Sequence, residues 1–146
     1  MKEIILPCLY AFAGCAAFSF VFQLRQWCHV LCASLCGAVG WLVYLLLAES
    51  SSVVRGLLAT IVVALLSELF ARIFKTPATV FLLIGIIPLV PGGGIYYTLE
   101  ALIGGNISLF VQKGLETVAF AGSIAVGCSL VASVARIIIK QKKPAL

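Results

Sequence analysis

Charge is scarce in this sequence. Only 10% of its 146 residues are Asp, Glu, Lys or Arg, 63% are hydrophobic, and mean hydropathy is +1.21. A soluble domain carries about a quarter charged residues, so a soluble fold is excluded and the length allows a single membrane domain. The net charge of +5 does not point to nucleic acid, because the basic residues sit at the ends of apolar runs. There they act as topology determinants, and no charge-dense patch or aromatic-basic interleaving is present. Histidine is almost absent. The lone His29 starts a helix with no Asp beside it, and Ser19, Ser34 and Ser123 are isolated helix serines. No nucleophile-base-acid set is visible, so an enzyme is not expected. Gly92-Gly93-Gly94 has no following Lys-Ser/Thr, which argues against a phosphate loop and against ATP-driven transport by this chain alone.

The six cysteines (Cys8, Cys15, Cys28, Cys32, Cys36, Cys128) all fall within apolar runs. Buried free cysteine behaves as a small hydrophobe, so no disulfide framework is implied. Cys28, Cys32 and Cys36 form an i, i+4, i+8 stripe beside His29, but a metal site would need ligands from a second Cys/His cluster, and none exists. Packing is the reading, with no metal and no cofactor. At the N-terminus, Met1-Lys2-Glu3 and Phe12-Ala13-Gly14-Cys15 resemble a targeting signal with a lipoprotein box. The weak positive region and an apolar run reaching Phe22 favour a first membrane span instead.

The chain therefore reads as an all-α membrane protein, one transmembrane domain over residues 1–146. About five spans are expected: 4–22, 28–48, 53–74, 78–103 and 114–139. A crossing needs about 20 residues. Span four passes only about 13 residues before Pro91, roughly 20 Å at ~1.5 Å per residue, short of the ~30 Å hydrocarbon core. It must continue through Ile103, which makes it a discontinuous helix broken at 88–94, with a restart expected near Ile95. Small residues four apart, Ala33/Gly37 and Cys36/Gly40 in span two and Ala119/Ser123/Gly127 in the last, suit close helix contact in lipid. Gly104-Gly105-Asn106 is a turn, and Asn106 or Ser108 is the expected cap of the final helix.

Five crossings put the termini on opposite sides. Arg25, Arg72, Lys75, Arg136, Lys140, Lys142 and Lys143 fall on one side, and Lys2, Arg55 and Lys113 on the other. The excess places the C-terminus in the cytoplasm and the N-terminus outside. A four-span alternative splits the basic residues more evenly.

Two features stand out chemically. Glu68 and Arg72 are one turn apart and able to pair. Either they mark the headgroup end of span three, beside Lys75, or Glu68 faces the bundle as a group for substrate contact or proton coupling, with Arg72 as its partner or a carboxylate clamp. The second feature is the run Pro88-Leu89-Val90-Pro91-Gly92-Gly93-Gly94. Irregular backbone at membrane depth is tolerated only inside protein or against a water-filled cavity. Transporters use such breaks to aim helix ends at substrate, and a restarting helix would offer its amides to a carboxylate. The other reading is a re-entrant kink that only packs. Tyr96 and Tyr97 are candidate hydroxyl donors, and Glu100 belongs either to the outer rim or to the cavity. Lys113, Glu116 and Thr117 read as surface or outer-vestibule residues.

The pattern Glu68-x-x-x-Arg72, Pro77, then Ile87-Pro88-x-x-Pro91-Gly92 followed by Tyr96 resembles the C-terminal membrane domain of the threonine/serine exporter family, which also occurs as a separate small subunit. The resemblance runs nearly end to end. It implies a secondary exporter of small amino acids or small carboxylates, proton-coupled, in the cell membrane. It also implies a larger partner subunit carrying the cytosolic N-terminal domain expected to be missing here. A five-span unit with its N-terminus outside independently suits the second half of an inverted repeat. The expected site set is Glu68, Arg72, Pro88, Pro91, Gly92, Gly93, Gly94, Tyr96 and Glu100. The alternative is a non-transporting membrane scaffold or assembly subunit, sensitive only at Ala119, Ser123 and Gly127. Homo-oligomerisation is compatible with either.

Overall fold

A computed structural model describes the backbone of residues 2–141 and the side chains of residues 4–138. Lys142 and Lys143, and the side chains of Lys2 and Lys140, lie outside the described residues, so four of the charges used for orientation have no structural counterpart here. Six α-helices follow in order: α1 (Lys2–Val21), α2 (Trp27–Leu46), α3 (Ser52–Phe74), α4 (Ala78–Ile86), α5 (Gly92–Ile103) and α6 (Ile107–Gln141). Four of them, α1, α2, α3 and α6, are long and apolar enough to span a membrane. α4 with the short 3₁₀ turn Ile87–Leu89 is joined to α5 at a bend of 47°, and the pair is either a discontinuous fifth span or a re-entrant loop. The protein is thus an all-helical bundle of four to five spans, interrupted between α4 and α5.

Each helix end has a local cause. Lys75 takes the left-handed conformation (φ 53°), and Thr76 N–H donates back to the Ala71 carbonyl at 3.1 Å, closing α3 just before Pro77. Gly105 (φ 72°) does the same for α5, where Asn106 N–H reaches the Ala101 carbonyl at 3.0 Å. Asn106 then starts α6, its Oδ1 accepting from Leu109 N–H at 3.1 Å. Pro7 lies deeper in α1 than a start at Ile4 implies, because the helix already begins at Lys2. The isolated serines are satisfied locally: Ser19 and Ser34 donate to the carbonyls of Cys15 and Val30, each four residues back and 2.8 Å away, and Ser123 donates to the Phe120 carbonyl at 2.7 Å.

Lipid supplies no hydrophobic drive between helices, so close packing at small residues must hold them. α4 sits between α2 and α3. A Cβ on Gly85 would lie 2.9 Å from both Cys36 Cβ and Val63 Cγ1, and one on Gly37 or Gly40 would overlap Cys15 Sγ or Val63 Cγ2. Ala33, Cys36, Gly37 and Gly40 are all buried, as the four-residue spacing suggests, and Cys15 donates its thiol to the Ile84 carbonyl at 3.3 Å. α3 and α6 run parallel: Gly56 meets Phe120 and Ser123, and Gly127 meets Thr60 and the Leu57 carbonyl at 3.1–3.2 Å. The α6 contact stripe is Phe120, Ser123, Gly127 and Val131, whereas Ala119 is exposed. The helical phase that puts Ser123 and Gly127 against α3 carries Phe120 inward in place of Ala119.

α5 runs antiparallel to α6, with Gly94 against Thr117 and Gly114 against Thr98. Among the described residues it packs on no other helix. Because Gly56 already meets Phe120, the first turns of α6 reach beyond the start of α3. The α5–α6 hairpin therefore projects from the end of the bundle formed by the termini of α2 and α3.

Candidate functional site

The chain break is built by Pro88 and Pro91. α4 ends at Ile86, Ile87–Leu89 tightens to a 3₁₀ turn, and Val90 is extended (φ −60°, ψ 129°). Pro88 rests against Gly37, and Leu89 is fully buried near Gly40, which anchors the turn to α2. Unlike the expected restart at Ile95, α5 starts at Gly92, and Gly92–Gly94 form its first turn. The physical reason is that Pro91, at φ −75°, presets the entry, and first-turn amides need no intrahelical acceptor. Ile95 N–H closes the first bond, to the Pro91 carbonyl at 3.0 Å. The non-helical stretch is thus only Val90–Pro91, and the glycines serve another end. Open space surrounds Gly92, and the nearest atom to a Gly93 Cβ is Tyr97 Cε2 at 4.0 Å. Gly94 is the close one: its Cβ would stand 2.6 Å from Thr117 Oγ1.

A partly open cavity of about 230 Å³ lies at this junction. Pro91, Gly94 and Tyr97 form the side contributed by the break and α5. Lys113, Glu116, Thr117 and Phe120 come from α6, Tyr44 from the end of α2 and Ser52 from the start of α3. Such a volume is below the ~300–1,000 Å³ of drug-sized sites, and fits a small metabolite. Lys113 Nζ and Glu116 Oε2 pair at 3.0 Å on its wall, with the side chains 39% and 55% exposed. Gln112 Nε2 donates to the other Glu116 oxygen at 3.3 Å, and Thr117 Oγ1 donates to the Lys113 carbonyl at 2.7 Å. The floor is aromatic, with Tyr44 edge-on to Phe120 (centroids 5.9 Å) and stacked on Trp41 (5.2 Å). Behind it, the Arg55 guanidinium lies 4.1 Å over the Tyr44 ring, and its Nε donates to the Tyr44 carbonyl at 3.1 Å. Arg55 thereby ties the start of α3 to the end of α2.

The sequence-derived candidates fall in two places. Pro91 and Gly94 line the cavity, whereas Pro88 lies outside it, packed against α1 and α2 beside Gly37 and Trp41, and Gly92 and Gly93 are on the open side of α5. Tyr97 lines it too, whereas Tyr96 points away, 64% exposed and edge-on to Tyr97 at 5.4 Å. Glu100 is exposed one turn further along α5. Glu68 and Arg72 are elsewhere, in a separate apolar groove of about 260 Å³ between α3 and α6, lined also by Leu65, Leu69, Val131 and Ala135. Ser52 and Glu68 are 16 positions apart on one helix, roughly 24 Å. Glu68 is half-buried and Arg72 exposed, and among the described residues the one ion pair is Lys113–Glu116 rather than Glu68–Arg72.

Sequence reasoning placed Lys113, Glu116 and Thr117 outside the site, and did not single out Tyr44 or Ser52. The available signal was the hairpin itself. Gly94 and Thr98 on one arm and Gly114 and Thr117 on the other, joined by Gly104-Gly105-Asn106, give both helices a small-residue face for antiparallel contact. Nothing local marks Tyr44, which is brought in only by the bundle.

No curated protein and no solved structure matched the chain. The family model described as threonine/serine exporter, ThrE, matches residues 7–134, which takes in α2 to α5 with the whole of the break and most of α1 and α6. With its apolar helices this makes the protein a multi-pass protein of the cell membrane, of an amino-acid exporting transport family. The chain belongs to the threonine/serine exporter family.

Proposed function

We propose that this chain is one subunit of a secondary exporter of small amino acids or small carboxylates, and that substrate occupies the cavity at the break. One observation carries this reading: the helix break opens onto a cavity that holds a charged pair, Lys113–Glu116, above an aromatic floor. Family membership supports the transport class. With the N-terminus outside and the C-terminus cytoplasmic, the cavity opens toward the outer face and Glu68 and Arg72 lie toward the cytoplasm. Glu68, half-buried in an apolar groove, is then the group for proton coupling. The partner is a larger membrane subunit with a cytosolic N-terminal domain. It completes the inverted repeat and covers the hairpin, whose outward residues Ile95, Leu99, Ile103 and Leu115 are exposed.

The test is counterflow in proteoliposomes of the chain with its co-purified partner, using serine, threonine and succinate. Exchange of one of these that depends on both subunits is expected. Transport by this chain alone would sink the obligate partner. Absence of exchange from the pair, with tolerance to every change at the break, would favour a scaffold subunit instead.

A further inference from the structure

We propose that the Lys113–Glu116 pair is the receptor for the α-ammonium and α-carboxylate of the substrate, and so selects an amino-acid zwitterion over a dicarboxylate. This rests on reading the break cavity as the substrate site.

The geometry is a match of dipoles. Lys113 Nζ and Glu116 Oε2 are 3.0 Å apart on the cavity wall. In any α-amino acid the ammonium nitrogen and the nearer carboxylate oxygen are held about 3 Å apart by the three bonds N–Cα, Cα–C and C–O. Laid antiparallel to the pair, the substrate sets its carboxylate against Lys113 and its ammonium against Glu116. All four neighbouring contacts are then attractive, and the ion pair need not break. The Glu116 carboxylate is oriented from its other side, where Gln112 Nε2 donates to the second oxygen. An exposed lysine–glutamate pair contributes little to folding, so stability does not account for it on this wall.

The remaining wall sets the charge balance. Tyr44, Ser52, Tyr97 and Phe120 are uncharged. Arg55 is not in the lining and is engaged over the Tyr44 ring and with its carbonyl. One cation and one anion are therefore presented, summing to zero. A dicarboxylate would find a partner for one end only and would bring the other toward Glu116. The aromatic floor accepts a small apolar group such as a methyl.

The experiment is counterflow with the assembled exporter, with L-serine as substrate and ethanolamine, glycerate and succinate as competitors. Ethanolamine and glycerate are serine analogues lacking one of its two charges. The proposal expects L-serine to outcompete all three. Lys113→Gln and Glu116→Gln should each raise half-saturation for L-serine about tenfold or more, since each leaves one substrate charge unpaired. Lys113→Gln should bring ethanolamine level with serine, and Glu116→Gln should do so for glycerate. Exchanging the charges (Lys113→Glu with Glu116→Lys) should recover much of the affinity by reversing the docked dipole. Unchanged half-saturation in both single variants, while Gly94→Leu still abolishes transport, overturns the receptor and leaves the cavity as the site. Wild-type transport by Gly94→Leu overturns the cavity reading and this assignment with it.

Discussion

Three consecutive glycines begin α5, and the structure makes them unequal. A methyl at Gly92 meets nothing within 4 Å, and one at Gly93 only touches Tyr97 at 4.0 Å. Alanine there should be neutral or stabilising, because glycine inside a helix costs roughly 0.5–1 kcal/mol relative to alanine. At Gly94 the same methyl stands 2.6 Å from Thr117 Oγ1 and 3.2 Å from its Cγ2, where ordinary contact begins at 3.4 Å. Either α5 backs away from α6 by most of an ångström, or Thr117 rotates and gives up its 2.7 Å bond to the Lys113 carbonyl. Overpacking of this kind costs about 1–3 kcal/mol and a lost hydrogen bond about 0.5–1.5. Offset by the helix gain, Gly94→Ala should weaken the hairpin by about 1–2 kcal/mol, enough for roughly a 5- to 30-fold loss in any step needing it closed. Melting of the purified protein in detergent and threonine counterflow should both fall for Gly94→Ala and hold for Gly92→Ala and Gly93→Ala. Thr117→Ala should rescue Gly94→Ala, since it removes the two closest atoms and leaves only Cβ, at 3.4 Å. Equal behaviour of all three alanine variants would refute the close approach.

Glu68→Gln should flatten the pH dependence of export while leaving substrate competition unchanged, since Glu68 lies roughly 24 Å from the cavity; an unaltered pH profile would reduce it to an interfacial anchor. Gly85→Val should lower expression and melting temperature more than any change at the break, by about 2–3 kcal/mol or more. Its side chain would be driven into Cys36 and Val63 on two helices at once, and a wild-type melting curve would contradict the packing described. Asn106→Ala should cost only about 1 kcal/mol, through the lost cap on Leu109, with export retained.

The helical layout was legible because the signals are local. Apolar runs of spanning length, Pro77 after α3 and the Gly-Gly-Asn turn each act within a few residues. The discontinuity of span four followed from length alone. Where the helix resumes was not legible, because three glycines read as loosened backbone until Pro91 is seen to preset a helical turn. Packing faces were partly legible. Ala33, Cys36, Gly37 and Gly40 face inward as their spacing implies, but Ala119 yields its place to Phe120, a phase set by which side of α6 meets Gly56. The cavity was the least legible part. Its wall combines α2, α3, the break, α5 and α6, and neither Tyr44 nor Ser52 carries a local sign of function. Lys113 and Glu116 looked like surface charge because nothing in the sequence tells how far α6 extends beyond α3.

The central claim is that substrate occupies the cavity between the break and α6, and the most direct test is substrate protection at its wall. Ser52 lines the cavity from the start of α3 and is exposed, so Ser52→Cys in the assembled exporter offers a thiol to a membrane-impermeant maleimide added outside. Cys15 and Cys36 are buried and Cys28 begins α2 at the other end of the bundle, but Cys8 is half-buried near the start of α1, on the cavity's side, so the assay uses a Cys8→Ala background. Saturating L-threonine should slow the labelling of Ser52→Cys severalfold. A labelling rate indifferent to threonine, in a variant that still exports it, would contradict the account.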